Sequence, residues 1–139
     1  MKFLLCAALF FWSCTARAEG VFSGLWVNPS EPGWGVSIHH NGDVMFVTVL
    51  VYGEDGTPTW YVAPEVRRFW SIGDDDVGFA GALYAASGPV LDNTPFDTKR
   101  VTLRRVGDIN VSVFMREDGG VTYSIDGKET RRPIRPLRW

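Results

Sequence analysis

The sequence predicts an all-β domain: an antiparallel up-and-down barrel of about eight strands, with an open β-sandwich as the alternative. Three observations carry that expectation. Short runs of alternating apolar and polar residues fill the chain from residue 21 onward. Turn-forming dipeptides separate those runs, and no stretch sustains a helical repeat. A barrel is preferred because closure leaves no exposed strand edge. With 139 residues, 45% hydrophobic and 22% charged, the chain has the composition of one globular domain.

Residues 21–27 (VFSGLWV) read as the first strand, stopped by Asn28-Pro29. Residues 34–40 form the second, with Trp34, Val36, Ile38 and His40 on one face and Ser37 and His39 on the other. Asn41-Gly42-Asp43 predicts a hairpin, because a type I′ turn needs φ > 0 at both central positions and Asn-Gly supplies it. The third strand, 44–52, is apolar on both faces, so it is either buried between the barrel wall and something else or lines a filled interior. Residues 53–58 turn the chain into a short strand at 59–63. Residues 66–72 come nearest to a helical period and are too short to hold one.

Further strands are read at 77–86, 100–106, 109–116 and 121–125, with Gly107-Asp108 and residues 117–120 as turns. Ile109, Val111, Val113 and Met115 share one face, and Val121, Tyr123 and Ile125 share another. A last extended piece covers 129–134, where Pro133 and Pro136 suit only an edge or a tail.

The first eighteen residues, MKFLLCAALFFWSCTARA, have the anatomy of a secretory signal peptide. Lys2 is the basic start, residues 3–12 are the apolar stretch, and Ala16-Arg17-Ala18 is the cleavage signal. The chain is therefore read as a signal peptide, 1–18, and a single domain, 19–139, that is periplasmic or secreted. A lipoprotein would acylate Cys14, but Phe11-Trp12-Ser13 is bulky where small residues are wanted. Both cysteines, Cys6 and Cys14, leave with the signal peptide. The domain then has no disulfide, no thiol nucleophile and no cysteine-ligated metal. No apolar run reaches the roughly 18 residues of a transmembrane helix, so no transmembrane span is expected.

Charge is unevenly placed. Residues 19–97 carry 11 acidic and 2 basic side chains, and residues 98–139 carry 5 acidic and 10 basic. Complementary surfaces within one domain, or steering of a partner, would follow. The basic end holds Arg131, Arg132, Arg135 and Arg138, but export argues against a nucleic-acid partner.

Catalytic and metal signatures are scarce. His39 and His40 are adjacent and point to opposite strand faces, so they cannot chelate one ion together. Asp74-Asp75-Asp76 would attract calcium only if the backbone looped, and reads as a solvated turn. No nucleophile elbow, zincin motif or phosphate loop occurs, so no catalytic residue, metal or cofactor is assigned. Paired carboxylates for glycoside hydrolysis depend on three-dimensional spacing, which leaves Glu31 with a partner carboxylate as an alternative reading.

Aromatic residues are the remaining signal. Trp26, Trp34, Trp60, Tyr61 and Trp70, with Phe46 and Tyr84, would form either a barrel core plugged with rings or a stacking surface. Between Asn28 and Gly35, two prolines stiffen the loop and Glu31 sits beside Trp34. The candidate ligand-binding set is therefore Trp26, Glu31, Trp34, His40, Trp60 and Tyr61.

The segment SGLWVNPSEPGWGVSIHHNGDVMFVTVLVYGEDGTPTWYV resembles a module of exported bacterial proteins. Its pattern runs G-L-W-x-N-P-x-E-x-G-W-G, then H-x-G-D, then G-x-P-x-W. It is carried here by Gly24, Leu25, Trp26, Asn28, Pro29, Glu31, Gly33, Trp34 and Gly35, then His40, Gly42, Asp43, Gly56, Pro58 and Trp60. Val27 and Val49 stand where the module has tryptophans. The resemblance implies export and a β-rich module and brings no activity with it. The expectation is a non-enzymatic binding or interaction module, its partner an unknown small molecule, glycan or envelope protein. A carboxylate-dependent hydrolase and a structural or assembly protein of the envelope are the alternatives.

Overall fold

The computed structural model describes residues 21–92 and 94–138, and the signal peptide expected at 1–18 lies outside them. Eight strands follow one another: β1 Gly24–Val27, β2 Gly35–Asn41, β3 Val44–Tyr52, β4 Pro58–Ile72, β5 Asp76–Ser87, β6 Thr102–Phe114, β7 Asp118–Ile125 and β8 Lys128–Pro136. Each pairs antiparallel with the next and β8 returns to β1, closing an up-and-down barrel. A 3-10 turn, Thr98–Arg100, lies in the β5–β6 connection, capped by the Asp97 carboxylate, which accepts from Lys99 N.

Period-2 alternation decides which side chains fill the interior. Val36, Ile38, Met45, Val47, Val49, Phe79, Leu83, Ile109, Val111, Val113 and Val121 are fully buried. Cross-strand pairing stacks them in rows, such as Ile38, Val47 and Ala63, or Phe79, Val111 and Val121. The other face of β3 is not buried: Phe46 and Leu50 point outward and stay exposed. An apolar residue on a strand signals burial only when its face meets a second layer, and this wall has none.

Two turns expected from sequence are placed differently. Gly107-Asp108 is no turn, because β6 runs through it and the stretches read as 100–106 and 109–116 are one strand. The chain bulges there instead, Leu83 facing Gly107 and Tyr84 facing Arg105, so that Val106 is the extra residue. At the β2–β3 hairpin Asn41 still pairs with Val44, which makes Gly42 and Asp43 the central residues. Only Gly42 has positive φ (62°), so the turn is not type I′. Residues 59–63 and 66–72 likewise belong to one strand, β4, kept continuous by a bulge beside Pro64, where the missing N–H costs no ladder bond.

The two ends of the barrel differ. Where β2 ends, Phe22 closes the interior, packing on His40 (4.9 Å between centroids) and Phe79 (6.3 Å). Trp26 Nε1 donates to the Phe22 carbonyl at 3.0 Å and holds that plug in place. Arg68 lies 6.0 Å over the Phe79 ring and pairs with Asp43. At the opposite end Trp34, Val51, Tyr61, Ala85, Tyr123 and Ile125 pack on the core yet are only partly buried. The charge asymmetry is bridged by Arg132–Glu31 and Arg116–Asp75, which join the basic and acidic portions. Other pairs, such as Arg135–Asp118, lie within one portion.

Candidate functional site at the open end of the barrel

Tyr61 sits opposite Val49 and Ala85, and Tyr123 opposite Ile109 and Thr130, so both rings point inward. Both lie beyond the last fully buried layer and are only partly buried. The result is a cavity of about 410 Å³ with Tyr61 and Tyr123 as its aromatic wall and Val51 and Ile125 as apolar floor. Thr130 and Lys128 of β8 line one side, and Tyr52 to Glu54 of the β3–β4 turn the other. A few polar groups around an apolar base is the usual make-up of a ligand pocket.

The loop 28–34 roofs this end. Asn28 starts it with an Asx turn, its Oδ1 accepting from Ser30 N (3.0 Å) and its carbonyl from Glu31 N (3.1 Å). Glu31 Oε2 then accepts from both Trp34 Nε1 (3.3 Å) and Arg132 Nε (3.1 Å). At Gly33 a Cβ would stand 2.8 Å from the Tyr52 hydroxyl, so the loop reaches from β8 to β3.

A second ion pair stands at this end. Arg104 forks onto both oxygens of Asp126, at 2.7 and 3.1 Å. That bidentate bond holds the Asp126 carboxyl below its ordinary range and raises Arg104. Burial pushes the Tyr123 phenol above its ordinary value of 10.0, against the Thr130 hydrogen bond and the Arg132 cation. Tyr123 is therefore a neutral hydroxyl at physiological pH, available for hydrogen bonding to a ligand.

The six residues singled out from sequence divide among four places. Tyr61 lines the cavity at the open end, and Glu31 and Trp34 belong to the loop over that end. Trp26 is 2% exposed in the core and offers a ligand no surface. Trp60 pairs with Leu50 on the outer wall and is 49% exposed. His40 lies at the plugged end. Of the wider aromatic set, Phe46 stands outside beside His39, and Trp70 lies over Gly78 near Phe114. Tyr123, Thr130, Arg132 and the Arg104–Asp126 pair escaped sequence reasoning. Alternation does orient Tyr123 inward, but nothing in it says that Tyr123 and Tyr61 reach the same end.

His40 has its own consequence. Its Nε2 donates to the Gly42 carbonyl at 2.7 Å, while Nδ1 is buried with no hydrogen-bond partner among the described residues. Desolvation first, and then the Arg68 cation, lower its pKa below the ordinary 6.5, against the Gly42 carbonyl and the Asp43 carboxylate. The unfolded chain therefore binds the proton more readily than the folded one. His40 contributes stability above the unfolded pKa, and that stability is lost as pH falls through the folded pKa. NMR titration should give His40 a pKa under 6.5, and denaturation midpoints should drop on acidification from neutral pH more steeply in the wild type than in His40→Gln.

Among the described residues no group of three or more His, Cys, Asp or Glu side chains is arranged to hold a metal. In the Asp74–Asp76 turn, Asp75 pairs with Arg116 and Asp76 accepts from Met115 N, so these carboxylates diverge. No helix among the described residues is long and apolar enough to cross a membrane. No family model, curated protein or solved structure matches the chain.

Proposed function

We propose that the protein is an exported, non-enzymatic binding module that receives its ligand at the open end of the barrel. The observation that carries this reading is the partly buried Tyr61–Tyr123 cavity beneath the loop 28–34, at the end of the barrel opposite the Phe22 plug. Aromatic faces, an apolar floor and hydroxyls suit a small molecule, a glycan unit or a side chain of an envelope protein that stacks and hydrogen-bonds at once. Glu31 is bound by Trp34 and Arg132, and Asp126 by Arg104, so both carboxylates serve as fixed anchors. Each is engaged by an arginine, and neither stands free to act as the acid of a hydrolase. Export, to the periplasm or beyond, rests on the sequence of residues 1–18 and on the resemblance to exported bacterial modules.

The test is a panel of soluble oligosaccharides and aromatic small molecules followed by intrinsic fluorescence and calorimetry. Trp34→Ala is expected to weaken binding about tenfold while the fold persists, a loss of roughly 1.4 kcal/mol. Trp60→Ala, on the outer wall, should leave affinity unchanged. A Trp34→Ala protein that unfolds more easily and binds as before overturns the reading. Full activity of Glu31→Gln on any substrate turned over would remove Glu31 from catalysis.

A further inference from the structure

β8 is bonded on one side only along most of its length. Ile125 and Lys128 flank the two-residue turn Asp126–Gly127, whose φ values of 48° and 86° mark type I′. In such a hairpin the flanking pair is hydrogen-bonded, so residues 128, 130, 132 and 134 turn their N–H and C=O groups to β7. Residues 129, 131, 133 and 135 turn theirs the other way. The bond from Leu137 N to Leu25 O, 2.7 Å, has this same parity. Yet β1 is four residues long and meets β8 only at Trp26–Pro136 and Val27–Arg135. Among the described residues, the N–H groups of Glu129 and Arg131 have no partner strand. The Arg131 carbonyl is taken at 2.9 Å by the guanidinium of its neighbour Arg132. Pro133, which has no N–H to offer, ends the row of donors.

This edge borders the cavity at the open end. Lys128 and Thr130 form one side of it and Val51 to Glu54 the other, and among the described residues no strand pairs with β8 between them. Donors and acceptors repeated at strand spacing are the complement of an extended polypeptide backbone. A strand laid there would send alternate side chains inward, against Tyr61, Tyr123 and Val51, and the others outward beside Glu129 and Arg131.

We propose that the ligand is an extended peptide segment that adds as a strand to residues 128–131 of β8 and places an apolar or aromatic side chain in the Tyr61–Tyr123 cavity. The inference rests on the open end being a binding site and names what binds there. Main-chain bonds to Glu129 and Arg131 supply affinity, and the cavity supplies side-chain preference.

The test is selection of a random heptapeptide display library against the purified protein, with two variants as controls. Arg131→Pro deletes an N–H that faces away from β7, in the alternation that already accommodates Pro133, so the ladder of the fold is untouched. Arg131→Gln removes the charge and keeps the N–H. Selected peptides should lose about tenfold or more in affinity for Arg131→Pro and less than about threefold for Arg131→Gln. N-methylation of alternate peptide amides should abolish binding, and methylation of the intervening ones should not. Equal affinity for Arg131→Pro and wild type overturns strand addition; if the same peptides still lose affinity for Trp34→Ala, the open end remains the binding site. Oligosaccharide binding without any selected peptide overturns strand addition alone, and failure of both removes both readings. A dimer in sedimentation that Arg131→Pro converts to monomer also overturns the proposal, since a second copy would then be the occupant of the edge.

Discussion

Trp26→Ala is expected to cost about 4 kcal/mol of folding stability, the largest loss of any single truncation in this barrel. The indole is 2% exposed and lies at the closure of the wall, paired across to Val36 on β2 and Pro136 on β8. Its ring also covers Gly119 of β7, where a Cβ would come within 3.3 Å of Cζ3. The Nε1 bond to the Phe22 carbonyl ties the plug to the same side chain. Alanine therefore opens a void in the layer where β1 makes its few contacts with β8 and removes the hydrogen bond to the Phe22 carbonyl. Domains of this size hold roughly 5–15 kcal/mol in all, so the variant should unfold at a much lower urea concentration. Trp26→Phe keeps a ring and loses the hydrogen bond, which should cost about 1–2 kcal/mol. A midpoint for Trp26→Ala within about 1 kcal/mol of wild type would show that the closure does not depend on this ring.

Gly107→Ala should be nearly as damaging, at about 3 kcal/mol, through a clash and not a void. A Cβ at Gly107 would lie 2.1 Å from the Ser124 carbonyl oxygen and 2.4 Å from its Oγ. The nearest obstacle is backbone, so no rotamer change relieves it, and β6 must move away from β7 at the bulge. Ser124 Oγ also accepts from Asp108 N, at 3.1 Å, and that bond is lost with the movement. Gly120→Ala is the matched control, because a Cβ there meets nothing closer than the Arg132 carbonyl oxygen at 3.9 Å. Urea unfolding of the two variants should separate them by about 2 kcal/mol or more, and equal midpoints would contradict the close packing of β6 on β7.

Much of the wall was legible in the residues themselves. Val36 and Ile38, or Val111 and Val113, alternate with polar neighbours, and a period of two has only one way to face an interior. The eight-stranded closed barrel follows the expectation drawn from that pattern. Gly107-Asp108 was misread because glycine followed by aspartate has the composition of a turn. Only the approach of Ser124 explains why a glycine is needed inside a strand. Phe46 and Leu50 make a related point: hydrophobicity is a property of the residue, and burial is a property of what lies against it.

The candidate site divides along the same line. Adjacent residues Trp60 and Tyr61 were grouped together, and the wall separates them, one ring outside and one within. Trp34, one residue before β2, and His40 fall on one face by alternation, but six residues of chain carry them to opposite ends of the barrel. Local alternation determined inside from outside for most strands, because that is settled by neighbours in the chain. Closure alone decided which rings share an end, which end Phe22 fills, and where β8 is left without a partner. Those outcomes depend on strand length and on contacts between residues as distant as Glu31 and Arg132, and no local pattern encodes them.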